Sequence, residues 1–197
     1  MTARILLVRH AAHDEIGRVL SGRVTDVPLN ATGEAEAARL ATAIRGRGVV
    51  RLLTSPQRRT HQTADMLAMA LGCAVEVENA LDEVDFGAWA GRDFATLATD
   101  PAWHHWNQAR DRAPTPGGET MAAAAGRITR FLDHAAADAN GGALLCVSHC
   151  DMIRAAVAHY LGLGLDRMLA FDIDPASITT LEIGDHGGRV LRMNEGF

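Results

Sequence analysis

Three short apolar runs constrain this chain most: Ile5-Leu6-Leu7-Val8, residues 49–54, and Leu144-Leu145-Cys146-Val147. Each is too short for a buried helix and suits a strand covered on both faces. Stretches of helical character separate them. Asn30-Ala31-Thr32-Gly33-Glu34 offers helix-start residues, and the Ala-rich segment from 32 to about 47 follows, stopped by Gly46 and Gly48. Pro56 suits the first turn of a helix running to about Leu71, with Gly72 ending it. A long helix is predicted from Thr120 to about Asn140, closed by Gly141-Gly142, and another over 151–161. Residues 74–77 form a weaker strand. Residues 177–183 and 189–193 alternate like an antiparallel pair joined by Asp185-His186-Gly187-Gly188. Strands alternating with helices predict an α/β fold, a three-layer α/β/α sandwich whose sheet is mostly parallel with an antiparallel edge.

At 197 residues the chain fits one domain, here read as 1–197, that buries enough surface to fold without disulfides or metal. There is no linker, repeat or low-complexity segment. The formal net charge of −5 argues against a nucleic-acid or acidic-membrane partner, while leaving room for a local arginine cluster. No apolar stretch approaches the ~18 residues that span a membrane. The start, MTARILLVRH, does not read as a signal peptide, so the glycosylation match at Asn30-Ala31-Thr32 is read as chance. Cys73, Cys146 and Cys150 lack CxxC spacing and read as reduced thiols of a cytoplasmic protein.

In sheets of this kind, ligands gather at the carboxyl ends of strands. Polar and basic groups follow the buried runs at each such end: Arg9-His10, Thr54-Ser55 leading to Arg58-Arg59, and Ser148-His149. Two histidines with arginines suit phosphoryl transfer. A guanidinium fork matches phosphoryl oxygens, and a neutral imidazole is a competent nucleophile. Transfer then needs positioning, an acid for the leaving oxygen and a base for water.

Leu7-Val8-Arg9-His10 resembles the Arg-His signature of the histidine phosphatase superfamily, the phosphoglycerate-mutase-like proteins. Further blocks follow in order: Ser55-Pro56-Gln57-Arg58-Arg59-Thr60-His61-Gln62-Thr63-Ala64, Leu81-Asp82-Glu83-Val84-Asp85-Phe86-Gly87-Ala88-Trp89-Ala90-Gly91, and Val147-Ser148-His149 through Ile153-Arg154. Gly22-Arg23, Asp26-Val27-Pro28-Leu29 and Pro116-Gly117-Gly118-Glu119-Thr120 also match. The resemblance implies a phosphatase acting on a small phosphorylated substrate, with no cofactor and no metal. It implies His10 as nucleophile, Arg9, Arg59 and His149 around the phosphoryl oxygens, and Glu83 as acid and then base. Ser21, Gly22 and Cys150 are candidate substrate contacts. Arg58, pointing away from Arg59 on the same helix, is read as solvent-exposed.

The chain departs from the family pattern at Ala11, where Gly is usual, and over Ala12 to Ile16, where an expected Asn is missing. His13 or the turn at Ser21-Gly22 is the candidate replacement. Cys150 stands where Gly is common. His104-His105 lacks a carboxylate at ligand spacing, so it is not read as a metal site, and residues 103–106 suit a pocket wall. Arg110 and Arg112 are read as solvated loop residues, and Met66, Leu67, Met69 and Ala70 as core packing. Asp172-Ile173-Asp174 is read as a loop before a strand.

Within the family the rival is a mutase, which the compact length disfavours. A rival of a different function class is a non-catalytic phosphate sensor or scaffold built on the same fold, to which the departures lend weight. No cysteine has Arg six residues on, and no GxxxxGK[ST] occurs, which excludes cysteine phosphatases and P-loop enzymes. A homodimer through the exposed edge of the terminal strands stays open.

Overall fold

The computed structural model describes residues 2–24, 26–139 and 141–197. Six strands form one sheet: β1 (Ala3–Arg9), β2 (Val49–Thr54), β3 (Val75–Val77), β4 (Ala143–Ser148), β5 (Ile178–Gly184) and β6 (Gly187–Glu195). Their order across the sheet is β3-β2-β4-β1-β5-β6. β3, β2, β4 and β1 pair in parallel, while β5 and β6 add an antiparallel edge.

The buried runs are continuous because both faces of the central strands are covered. Successive side chains alternate between two separate cores. Leu6, Val8, Leu52, Leu145 and Val147 pack on one face under α1 (Ala31–Ala43) and α2 (Arg58–Leu71). Ile5, Leu7, Leu53, Leu144 and Cys146 pack on the other. There they meet Ile128 and Leu132 of α5 (Met121–Asp138) and Ile153 and Val157 of α6 (Cys150–Tyr160). This is the expected three-layer sandwich.

Differences from the sequence reading are local. α2 begins at Arg58, with Gln57 as its cap and Pro56 just outside. The end predicted for α5, at Asn140, lies outside the described residues. Residues 81–118 are not wholly irregular: they hold α3 (Phe94–Leu97) and α4 (Pro101–Gln108), each started by an aspartate side chain, Asp93 or Asp100. Such short helices carry too few turns to show a period. Met69 is 85% exposed, so of that apolar group only Leu67 is fully in the core.

Capping ties the α1 start to the segment after β1. Asn30 accepts from the Gly33 N–H at 2.9 Å, and its own N–H donates to the Ala12 carbonyl at 3.1 Å. The two backbones then lie so close that a Cβ on Gly33 would stand 2.0 Å from the Ala12 oxygen. Gly33→Ala is therefore expected to lower stability by about 1–3 kcal/mol, the usual range for overpacking, read from the midpoint of urea unfolding. A variant as stable as the parent would show that the Ala12 segment yields freely.

Candidate active site

Strand register brings the two histidines together. β1 and β4 run parallel with Arg9 opposite Ser148, so His10 and His149 leave neighbouring strands at one level. The His10 N–H donates to the Ser148 carbonyl at 3.0 Å, and the ring centroids are 5.3 Å apart. β2 ends beside them, where the Ser55 N–H donates to the Val147 carbonyl at 3.0 Å. Arg59, in the first turn of α2, reaches across from that end.

Hydrogen bonds fix the tautomers. Nδ1–H of His10 donates to the Ala11 carbonyl at 2.9 Å, which leaves the lone pair on Nε2. Nδ1 of His149 accepts from Nη2 of Arg59 at 3.1 Å, so its proton is on Nε2, which lies 2.7 Å from Ser55 Oγ. Ser55 in turn donates to Asp82 Oδ1 at 3.1 Å. Burial, then Arg59, lowers the pKa of both histidines well below the usual value, so both are neutral near pH 7.

Arg59 is 2% exposed. Its Nη2 donates to the Gly22 carbonyl at 2.9 Å, but Nε and Nη1 have no partner among the described residues. Nη1 of Arg9 donates to the Ile173 carbonyl at 2.6 Å, while its Nε has none. Buried donors without acceptors are costly, and charged ones more so. The buried Arg59 and the half-buried Arg9 thus bring unpaired guanidinium donors together beside His10, an arrangement that suits an anion.

Glu83 supplies a proton-exchanging group. Its Oε1 accepts from the Val84 N–H at 2.9 Å, and Oε2 lies 3.9 Å from His149 Nδ1. Burial, reinforced by the charge of Asp151, raises its pKa to about 7.

A cavity of about 230 Å³ opens onto this cluster. Arg9, His10, Ser21, Gly22, Arg59, Glu83 and Cys150 line it. His149 does not; it is fully buried and in contact with Arg59. Arg58 is exposed and pairs with Asp26 at 3.3 Å. Of the aromatic segment, Trp103 borders the cavity, whereas Trp106 is buried in the core. Among the described residues no group of three or more His, Cys, Asp or Glu is placed to hold a metal ion.

Arg110 corrects its reading as a solvated loop residue. It is 6% exposed and lines the cavity, with its guanidinium 4.0 Å from the Trp106 ring and Nη1 3.1 Å from Asp151. Arg112 is exposed as expected. Sequence reasoning also missed Arg127, which looks like an ordinary charge on α5. Its guanidinium donates to the carbonyls of Ala80, Asp82 and Glu83 at 2.7, 2.9 and 3.2 Å, and so positions the segment that carries Glu83. No local pattern announces that role.

Comparison with known proteins decides the family. The model of the histidine phosphatase superfamily, branch 1, matches residues 5–196. The chain belongs to that superfamily. A bifunctional protein of Mycobacterium tuberculosis is 32% identical over 194 residues, covering 96% of this chain and 53% of that protein. The chain thus spans about half the length of the first curated relatives it matches. A putative phosphoserine phosphatase of Hydrogenobacter thermophilus is 28% identical, covering 98% of this chain and 95% of its own. A mycobacterial glucosyl-3-phosphoglycerate phosphatase of known structure superposes with a TM-score of 0.85 at 25% identity, covering both chains fully. Bacillus stearothermophilus YhfR superposes at 0.92 with 21% identity, covering 99% and 98%, which shows the shared fold.

The thiols give a test of the local environment. Burial raises Cys146 to about 12 and Cys150 to about 11, although Cys150 lines the cavity. Since the thiolate is the reactive form, iodoacetamide at pH 8 is expected to label half-buried Cys73 first. Mass spectrometry showing Cys150 labelled as fast as Cys73 would contradict this picture of the cavity wall.

Proposed function

We propose that this chain, read as one histidine phosphatase domain over 1–197, hydrolyses a small phosphorylated metabolite through a phosphohistidine at His10 and needs no metal ion. The unpartnered guanidinium nitrogens of Arg9 and Arg59 beside the free lone pair of His10 carry the reading. In the first step Nε2 of His10 attacks phosphorus, the ester P–O bond breaks, and Glu83 gives its proton to the leaving oxygen. In the second, Glu83 takes a proton from water, the new oxygen bonds to phosphorus, and the Nε2–P bond breaks to release phosphate. Arg9 and Arg59 hold the non-bridging oxygens through both steps. His149 acts behind Arg59, accepting from its Nη2 at 3.1 Å, and so orients that guanidinium toward the anion.

The size of the cavity and the names of the relatives support a small ester. Arg110 and Arg154, gathered around Asp151 at 3.1 and 3.9 Å, give the cavity a second cationic pole suited to a substrate carboxylate. Ser21, Gly22 and Cys150 complete the wall. The reduced thiols support a cytoplasmic setting. The edge of the sheet at β6 is the surface that suits a homodimer.

Turnover in chelator tests the mechanism. With EDTA present, the parent is expected to hydrolyse an aryl phosphate, to prefer 3-phosphoglycerate over glycerol 3-phosphate, and to yield phosphohistidine trapped by an alkaline quench. Folded His10→Ala should do none of these. Loss of activity in EDTA, or turnover by His10→Ala, would sink the phosphohistidine reading.

The pH dependence tests Glu83 separately. Because its pKa is raised to about 7, the protonated acid is lost as pH rises through that value. The rate on an alkyl phosphate should therefore fall above about pH 7 and more steeply than the rate on an aryl phosphate with a good leaving group. Glu83→Gln should lower kcat/KM for the alkyl ester by about 10²–10⁴-fold and abolish that limb. A profile identical in the variant would remove Glu83 from the role.

A further inference from the structure

The steps above leave His13 unused, although it sits in the same cluster. It lies on the irregular segment after β1, yet it is only 6% exposed and lines the cavity beside Arg9, His10 and Arg59. Its ring centroid is 5.1 Å from that of His10, with the planes inclined by 39°.

The backbone around it is tied down on both sides. The Ala12 N–H donates to Glu36 Oε2 at 2.9 Å, and the Ile16 N–H donates to the His13 carbonyl at 3.3 Å. The ring itself is oriented. Its Nδ1 accepts from the Glu15 N–H at 3.3 Å, so the neutral ring carries its proton on Nε2. Nε2 has no hydrogen-bond partner among the described residues, which makes it the one polar ring atom left to meet a ligand.

We propose that His13 is a ligand of the phosphoryl group, its Nε2–H donating to a non-bridging oxygen alongside the unpartnered nitrogens of Arg9 and Arg59. This rests on the reading of the cavity beside His10 as a phosphate site.

The chemistry favours a neutral donor at this place. Arg9 and Arg59 already bring two cations close together, and a third would repel both. Burial, then the charge of Arg59, lowers His13 to about 4, so the ring meets the anion uncharged but with a proton to donate. It adds a hydrogen bond to an ionised acceptor without adding to the repulsion. Because the non-bridging oxygens persist through attack by His10 and through hydrolysis, the same contact serves both steps.

The experiment uses inorganic phosphate as the probe and reads binding apart from turnover. In ¹⁵N-labelled protein, the Nε2–H resonance of His13 is expected to move downfield as phosphate is titrated, while Nδ1 keeps the shift of an acceptor nitrogen. By calorimetry, His13→Phe, which keeps a ring against His10 but no donor, should bind phosphate about 10- to 100-fold more weakly, the loss of one hydrogen bond to a charged group. His13→Gln, whose amide places a donor at similar reach, should recover most of that loss, and it stands in if the Phe variant does not fold. Phosphate affinity in His13→Phe within about twofold of the parent, too small to be such a bond, would overturn the proposal. So would an unmoved His13 resonance at saturation, or a parent that binds no phosphate at all. Alkali-quenched labelling of His10 keeps the two readings apart. Phosphate binding that depends on His13 in a protein that never labels would uphold this inference and sink the hydrolase reading. Labelling and phosphate affinity both untouched in His13→Phe would do the reverse.

Discussion

Parallel pairing of β1 with β4 is the constraint on which the site depends. The register holds from Arg4 opposite Ala143 to Arg9 opposite Ser148 without a slip. A shift by one residue would move the side chains of a strand to the opposite face of the sheet. Leu6 and Val8 would then enter the core of Ile5 and Leu7, and His10 would no longer stand level with His149. The two cores specify that register strongly, because each accepts only its own alternate set of side chains. Packing in the sheet, far from any ligand, is therefore what sets the distance between the two histidines.

Desolvation then acts on the two histidines and on Glu83 in opposite directions. It lowers His10 and His149 and raises Glu83, and the charge of Arg59 deepens the fall of the histidines. Near neutral pH the outcome is a pair of uncharged imidazoles and a carboxyl group poised between its two forms. Arg59 pays part of the same cost, since burial lowers its pKa too. The carboxylates of Glu83 and Asp82 oppose that fall but leave two of its nitrogens unpaired. An anion that met them would relieve the desolvation of the arginine and leave the histidines neutral.

Much of this was legible in the sequence because it is local. The strand runs announce themselves by length and composition, and the residues just beyond them, Arg9-His10, Ser55 and His149, fall at one end of the sheet by topology alone. The family resemblance singled out Arg59, helix geometry sends Arg58 elsewhere, and the two do differ, 2% exposed against a solvent-facing ion pair. What was not legible depends on distant partners. Arg110 is buried because Trp106 stacks on it and Asp151 of α6 pairs with it, and neither contact leaves a periodic mark. His13 has no strand or helix to give it a direction. Its burial comes from the way α1 pins the preceding residue, through Asn30 and Glu36.

Glu83 raises a harder problem, since it lies on a segment with no strand or long helix to hold it. The structure answers with side chains and with close backbone contact. Ser148 Oγ donates to the Leu81 carbonyl at 2.6 Å, and Arg127 gathers the carbonyls that follow. Glu119 accepts from Arg23, Arg127 and the Asp85 N–H at 2.7, 2.7 and 3.0 Å, and so joins three parts of the chain behind the acid. The glycines belong to the same device. A Cβ on Gly118 would stand 2.0 Å from the Asp85 carbonyl oxygen, and one on Gly87, at φ 55°, would stand 2.2 Å from that of Pro116. Side chains at these positions would push the two loops apart and carry Glu83 with them. The glycines that mark the sequence after Glu83 thus follow from one need, to hold a carboxyl group in a fixed place on backbone that lacks regular hydrogen bonding.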